Sequence, residues 1–219
     1  MARCYRQLCS IAHALDVVGE RWTLLILRDL MPGPLRYRDL AAKQPGLASD
    51  MLTRRLRRLE GAGIIERREL PPPAGITVYG LREPSDTVRH ALEALVGLGA
   101  SFMPDPATAG ERMEVAWAMM SVRPAIEAPA GGGLAFPDEV VPIRVLQRGE
   151  TCRVVYHALE DPAVILGGPT SRVLAYLFGF TDERSMLKID GAPDELAAWR
   201  RALVSAAQRV GLFPSMRRR

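Results

Sequence analysis

Apolar residues recur three and four apart through much of the first hundred positions, and this spacing divides the stretch into short helices. Ile11, Leu15 and Val18 form the stripe of an amphipathic helix that ends near Gly19. Glu20 to Leu30 is apolar nearly all round, which predicts a helix buried between others, and Pro32-Gly33-Pro34 stops it. A short helix is expected from Arg36 to Lys43, with Tyr37 and Leu40 pointing inward. Gln44-Pro45-Gly46 makes a turn, and Ser49 to Ala62 forms the next helix, with Leu52, Leu56 and Leu59 on one face and Gly63 as its stop. The period then falls to two. Ile64 to Leu70 alternates charged and apolar residues, Pro71 to Gly75 is a rigid turn, and Ile76 to Leu81 is β-branched and aromatic, as in a hairpin. Ser85 is placed to cap a helix striped by Val88, Leu92, Leu95 and Leu98. Two helices around a tight turn, followed by a two-stranded wing, describe a winged helix-turn-helix.

The second half has a mixed pattern. Ser101 to Gly110, with two prolines and no apolar period, reads as a linker, dividing the chain into domains 1–100 and 111–219. Glu111 to Val122 predicts a helix with Met113, Trp117 and Met120 along one side. Pro124 to Pro137, with its run of three glycines, reads as a loop. Val140 to Gln147 and Cys152 to Ala158 predict a hairpin turning at Arg148-Gly149-Glu150. Strands are expected over Ala163 to Leu166 and Met186 to Ile189, and helices over Pro169 to Phe178 and Pro193 to Val210, the last with Leu196, Trp199, Leu203 and Val210 inward. The fold class expected for the whole chain is α+β.

Composition narrows the function classes. The 219 residues, 48% hydrophobic and 25% charged, describe ordinary globular protein. No stretch approaches the roughly 18–20 apolar residues of a membrane span, and no leader pattern stands at Met1 to Leu8, so a cytoplasmic protein is expected. Three cysteines without a CxxC pair and three scattered histidines give neither a disulfide framework nor a metal site. No nucleophile–base pair or carboxylate pair emerges, which disfavours an enzyme, and nothing calls for a cofactor. Residues 1–100 carry 15 basic against 11 acidic side chains, while the remainder has 14 of each, including Arg217-Arg218-Arg219. A basic first half fits a nucleic-acid-binding module.

The chemistry of such a module belongs on the helix Ser49 to Ala62. At about 100° per residue, Asp50, Thr53, Arg54 and Arg57 fall opposite the leucines, with Arg58 at the edge of that arc. Arg54 and Arg57 suit bidentate pairing to guanine or a phosphate contact, Thr53 a thymine methyl or a phosphate, and Asp50 a cytosine amino group or the helix dipole. Ser49 is suited to cap the helix and to bond a phosphate. Arg36, Arg38, Arg67 and Arg68 are candidate phosphate contacts that position without reading sequence. An arginine run is equally the mark of a solvated surface helix. The flanking turn, short helix and hairpin are what make it specific.

The segments CSIAHALDVVGERWTLLILRDL, RYRDL, PGLASDMLTRRLRRLEGAGIIERR and VYGL resemble the HxlR family of winged-helix regulators, relatives of the MarR type, over about Cys9 to Ala100. The resemblance implies a homodimer paired through its outer helices, with two recognition helices in successive major grooves of a near-palindromic duplex operator. It maps the recognition helix onto Ser49 to Gly61 and the wing onto Ile64 to Leu81. Where the family often has Ser-Pro, Ala48-Ser49 stands here, leaving open whether Ser49 is the cap or the first helical residue. Cys9 matches an N-terminal cysteine that some members use as an oxidation or electrophile sensor; inert packing is the competing reading.

From DPAVILGGPTSRVLAYLFGF through LKIDGAPDELAAWRRAL, the second half resembles the sterol-carrier-like domain appended to some such regulators. That resemblance implies an apolar cavity for a hydrophobic small molecule, with Trp117, Met120, Tyr156, Leu174, Leu177 and Phe178 either as walls or as plain core. A DNA-binding regulator is the leading expectation, with repression or activation left open. The alternative is a hydrophobic-ligand carrier whose winged helix serves protein interaction.

Overall fold

The structure is a computed structural model that describes residues 4–73, 75–100, 102–103, 112–127, 129, 133–139, 141–148, 151–156, 162 and 164–212. The chain divides into two compact units, Met1–Leu92 and Glu93–Arg219. The linker read at 101–110 lies largely outside the described residues, as do the tip of the second-half hairpin and Arg217 to Arg219.

The first unit contains α1 (Ser10–Val18), α2 (Thr23–Leu30), α3 (Tyr37–Lys43), α4 (Ser49–Gly61), β1 (Ile65–Glu69) and β2 (Thr77–Leu81), and α5 (Asp86–Ala100) begins in it. Its core is built from Ile26, Leu27 and Leu30 of α2, Leu35, Leu40 of α3, the three leucines of α4, and Ile65, Val78 and Leu81 of the hairpin. The hairpin is antiparallel, pairing Ile65 with Leu81 and Glu69 with Thr77. Leu35 and Tyr79 exchange both backbone hydrogen bonds, at 2.9 and 2.8 Å, so the loop after α2 adds a third rung to the wing.

Several local expectations change. The second helix starts at Thr23, because Trp22 takes a left-handed conformation (φ 78°) that breaks the run. It is not buried all round, since Leu25 is exposed. Trp22 is near enough to Gly46 that a Cβ there would lie 3.1 Å from the indole, which accounts for a glycine in the turn before α4. The α4 N-cap is Ala48, and Ser49 is the first helical residue, with no capping bond from a side chain. Ser85 precedes α5, but its hydroxyl donates to the Glu83 carboxylate and accepts from Arg89 Nε at 2.9 Å. The apolar stripes of α1 and α5 are only partly covered: Leu92 is buried, but Ile11, Leu15, Leu95 and Leu98 are exposed.

Among its described residues the second unit has a five-stranded sheet in the order β5-β4-β3-β6-β7, with three helices after α5. Its strands are β3 (Leu134–Phe136), β4 (Ile143–Arg148), β5 (Thr151–Tyr156), β6 (Val164–Gly167) and β7 (Lys188–Gly191). The β3–β6 pair is parallel and the rest are antiparallel. These helices are α6 (Val115–Val122), α7 (Thr170–Leu177) and α8 (Pro193–Val210), with a 3-10 turn at Arg123–Ala125. The central strand β3 falls where the sequence reads as a loop. Three residues buried on both faces carry no detectable period, and the neighbouring glycine run and Pro137 disguise them. Gly133 belongs to this packing, because a Cβ there would lie 2.0 Å from the Val145 carbonyl oxygen. On α6 the buried residues are Val115, Ala116, Met119, Met120 and Val122, a wider face than the predicted stripe, and Trp117 is only half-buried. The later part of α5 is tied to the end of α6 by an ion pair between Glu93 and Arg123.

Candidate nucleic-acid interface

The helix-turn-helix is assembled by polar ties that hydrophobic periodicity does not reveal. Tyr37, expected as an inward core residue, is half-buried and works through its hydroxyl. It donates to the Ser49 carbonyl at 2.8 Å and lies 3.3 Å from Thr53 Oγ1, joining the start of α3 to the first turn of α4. In the turn, the Gln44 side-chain amide donates to the buried Asp29 carboxylate of α2, which also accepts from Arg28 at 3.0 and 3.2 Å. Asp29 is an acid near the end of a mostly apolar run, and that is the sequence signal for this tie. A buried carboxylate must be hydrogen-bonded to be tolerated, so this one fixes the turn against α2. At the other end of α4, Glu20 receives both Arg55 and Arg58, the latter at 2.6 Å, and Arg58 also donates to the Asp16 carbonyl.

These ties leave one arc of α4 turned outward. Arg54 is exposed and pairs with Asp50 at 2.7 Å in the favourable acid-first i,i+4 order. The Arg54 hydrogen bond, with backbone donation from Met51, holds the Asp50 carboxyl below its ordinary value. Because both side chains are more than half exposed (59% and 67%), the pair is worth little and Arg54 can exchange it for another anion. Arg57 is exposed and, among the described residues, has no hydrogen-bond or ion-pair partner. Thr53 is half-buried, and its hydroxyl donates to the Ser49 carbonyl at 2.9 Å. Arg58 faces the Glu20 side instead, bonded to Glu20 and to the Asp16 carbonyl from a distant segment of the chain. Arg38 is exposed with a loose contact to Asp39 at 3.6 Å, Arg36 is the N-cap residue of α3, and Arg67 and Arg68 are exposed on β1, the latter 3.6 Å from Glu66.

Cys9 is exposed and is the N-cap residue of α1. Cys4 donates its thiol hydrogen to Asp16 at 3.0 Å. In the second unit, Met120, Leu174, Leu177 and Phe178 are buried, Tyr156 nearly so, and Trp117 carries the Arg112 guanidinium 5.5 Å from its ring centre. Among the described residues no group of acids, cysteines and histidines could hold a metal ion, and no helix is long and apolar enough to cross a membrane.

An uncharacterised HTH-type transcriptional regulator of Methanothermobacter thermautotrophicus is 33% identical over 105 residues, which span 48% of this chain and 80% of that protein. The pattern of the HxlR-like helix-turn-helix family matches residues 17–106. The chain belongs to the HxlR-like family. The HTH-type transcriptional regulator YodB of Bacillus subtilis is 32% identical over 93 residues, covering 42% of this chain and 83% of YodB. The solved structure of the reduced form of YodB covers 44% of this chain and 95% of its own at 29% identity, with a TM-score of 0.39, a value at which the likeness carries no structural argument. Membership makes this HxlR-like protein a DNA-binding transcriptional regulator, and these named relatives are regulators, not enzymes. The family match ends at residue 106, so the part of the second unit beyond it takes no identification from the family.

Proposed function

We propose that the protein binds a near-palindromic operator as a homodimer, reads it with α4, and is modulated by a hydrophobic small molecule held in the second unit. The observation that carries the reading is the outward arc of α4, where Arg57, without a partner among the described residues, stands beside an Arg54 paired with an exposed carboxylate. Both guanidinium groups suit the O6/N7 edge of guanine. Thr53 presents its methyl group to a thymine while its hydroxyl stays on the helix backbone, and Asp50, once released by Arg54, accepts from a cytosine amino group. Ser49, Arg36, Arg38, Arg67 and Arg68 hold phosphates and set the register. Arg58 serves by bracing α4 against Glu20 and not by touching the duplex.

Two apolar faces support the homodimer: Ile11 and Leu15 on α1, and Leu95 and Leu98 on α5, each exposed in the single chain. Covering such surface is worth about 25 cal/mol per Å², and contiguous apolar patches mark association sites. Two-fold pairing sets half-sites about one helical turn apart. The domain limits we adopt are 1–100, 101–110 and 111–219, the last a sterol-carrier-like ligand domain acting beside DNA in the cytoplasm. Cys9, exposed before α1, is the thiol we assign to any oxidative response.

Selection of genomic fragments by the full chain, followed by footprinting, tests the reading. Two protected half-sites, with a dimer by sedimentation that Leu98→Asp converts to monomer, are expected. Failure to enrich any fragment above bulk competitor DNA overturns it. A thermal-shift screen of hydrophobic metabolites tests the effector, because a ligand selective for the native state raises the melting temperature.

A further inference from the structure

The outward face of α8 lines an open groove of about 490 Å³, the size of a small-molecule site. Ala197, Arg200, Arg201 and Val204 recur three and four apart on the flank beside the core face of Leu196, Trp199 and Leu203, and Gly179 and Arg184 close the groove from the chain that follows α7. None of the six residues expected to wall an apolar cavity lies in this lining. From this groove we infer a binding site for a small organic anion, a carboxylate or phosphate carried on an apolar body.

The positive charge is fixed in place and not merely solvated. Arg200 donates through Nε to the Tyr176 carbonyl at 2.8 Å and through Nη2 to the Thr181 carbonyl at 3.0 Å. Arg200 and Arg184 both lie against the buried Tyr176 ring, 4.6 and 5.0 Å from its centre, so cation–π attraction holds two like charges at one ring. Arg201 is exposed and has no partner among the described residues. The lining holds three arginines and no carboxylate; the acid nearest in the bonding network is Asp182, which pairs with Arg200 at 2.6 Å and is 88% exposed. An anion between Arg184 and Arg201 therefore gains charge-assisted hydrogen bonds in a place the protein leaves net positive. Ala197 and Val204 supply the apolar floor. Gly179, at φ 75°, keeps the groove open: a Cβ there would lie 3.2 Å from Val204 Cγ2. The lining contrasts with the apolar pocket expected of a sterol-carrier-like domain and specifies a different ligand class.

The test uses the full chain and three fluorinated probes at constant ionic strength, 4-fluorobenzoate, 4-fluorophenyl phosphate and neutral 4-fluorobenzyl alcohol, with ¹⁹F line broadening as the readout. Saturable broadening of at least one anion but not of the alcohol is expected, with about tenfold weaker binding in Arg201→Gln or Arg184→Gln, as for loss of one charge-assisted bond. Ala197→Glu, an exposed helical position, should abolish binding with the melting temperature preserved. The identity of the stronger anion tells whether a carboxylate or a phosphate is preferred. Equal binding of the alcohol, no saturation by either anion, or binding unchanged in the three variants overturns the inference. The readout is independent of DNA, so it can fail or succeed apart from the operator reading.

Discussion

Arg57→Ala separates recognition from stability more sharply than any other change in this protein. Arg57 gives up no intramolecular partner among the described residues and sits on the exposed face of α4, so folding stability should change by no more than about 0.5 kcal/mol. For a unit of this size that is a melting shift of roughly 2–4 °C. The cost to DNA binding is of another order. A bidentate contact to guanine contributes about 1–3 kcal/mol of discrimination, which is about 5- to 150-fold in affinity for the selected operator. A phosphate contact instead weakens all duplexes alike and lowers the slope of log K against log salt by roughly 0.9. Fluorescence anisotropy of the footprinted duplex and a scrambled duplex, each over a range of salt, distinguishes the two. Unchanged operator affinity and unchanged salt slope together would refute the placement of Arg57 at DNA. A melting temperature lowered by ten degrees would refute its description as a free surface side chain.

Asp29→Ala leaves Arg28 and the Gln44 amide facing a site built for a carboxylate, and should cost about 3 kcal/mol in urea unfolding, with Asp29→Asn costing less. Glu20→Ala removes the acid shared by Arg55 and Arg58; with these side chains 16–33% exposed, the loss is discounted to about 1 kcal/mol, read by thermal unfolding, and DNA affinity falls as α4 loosens. Cys152 is buried, and burial pushes its thiol from 9.0 up to about 11. The folded state therefore holds this proton longer than the unfolded one, so the stability is whole below pH 9.0 and declines toward pH 11 by about 2 kcal/mol. Cys152→Ala should remove that slope, and Cys152 should resist a thiol reagent at pH 8 until the protein unfolds, while exposed Cys4 and Cys9 react at once.

Helix periodicity made α4 and α8 legible because each carries a long stripe against a single core, it made α1 legible through a stripe that the single chain leaves largely exposed, and the fall to period two exposed the wing hairpin. The outward arc of α4 followed from the same rotation, since placing Leu52, Leu56 and Leu59 inward leaves Asp50, Arg54 and Arg57 no other face. What periodicity could not see was polar. Arg54, Arg57 and Arg58 look alike in sequence, yet Arg58 is taken by Glu20, 38 residues away, and Arg57 is not. Tyr37 looked like core until its hydroxyl had a carbonyl to meet.

By itself, the order of apolar, polar and turn residues determined the succession of helices, the wing and the family, because those depend on contacts within a turn or between neighbouring elements. Tertiary structure alone decided which arginines are spent inside the fold, where β3 threads between its partners, and how α8 gathers Arg200 and Arg201 beside Arg184. Each of these brings together residues far apart along the chain. A hydrogen bond or cation–π contact at such separation leaves no period in the sequence; it exists only once the core has closed and set the distances.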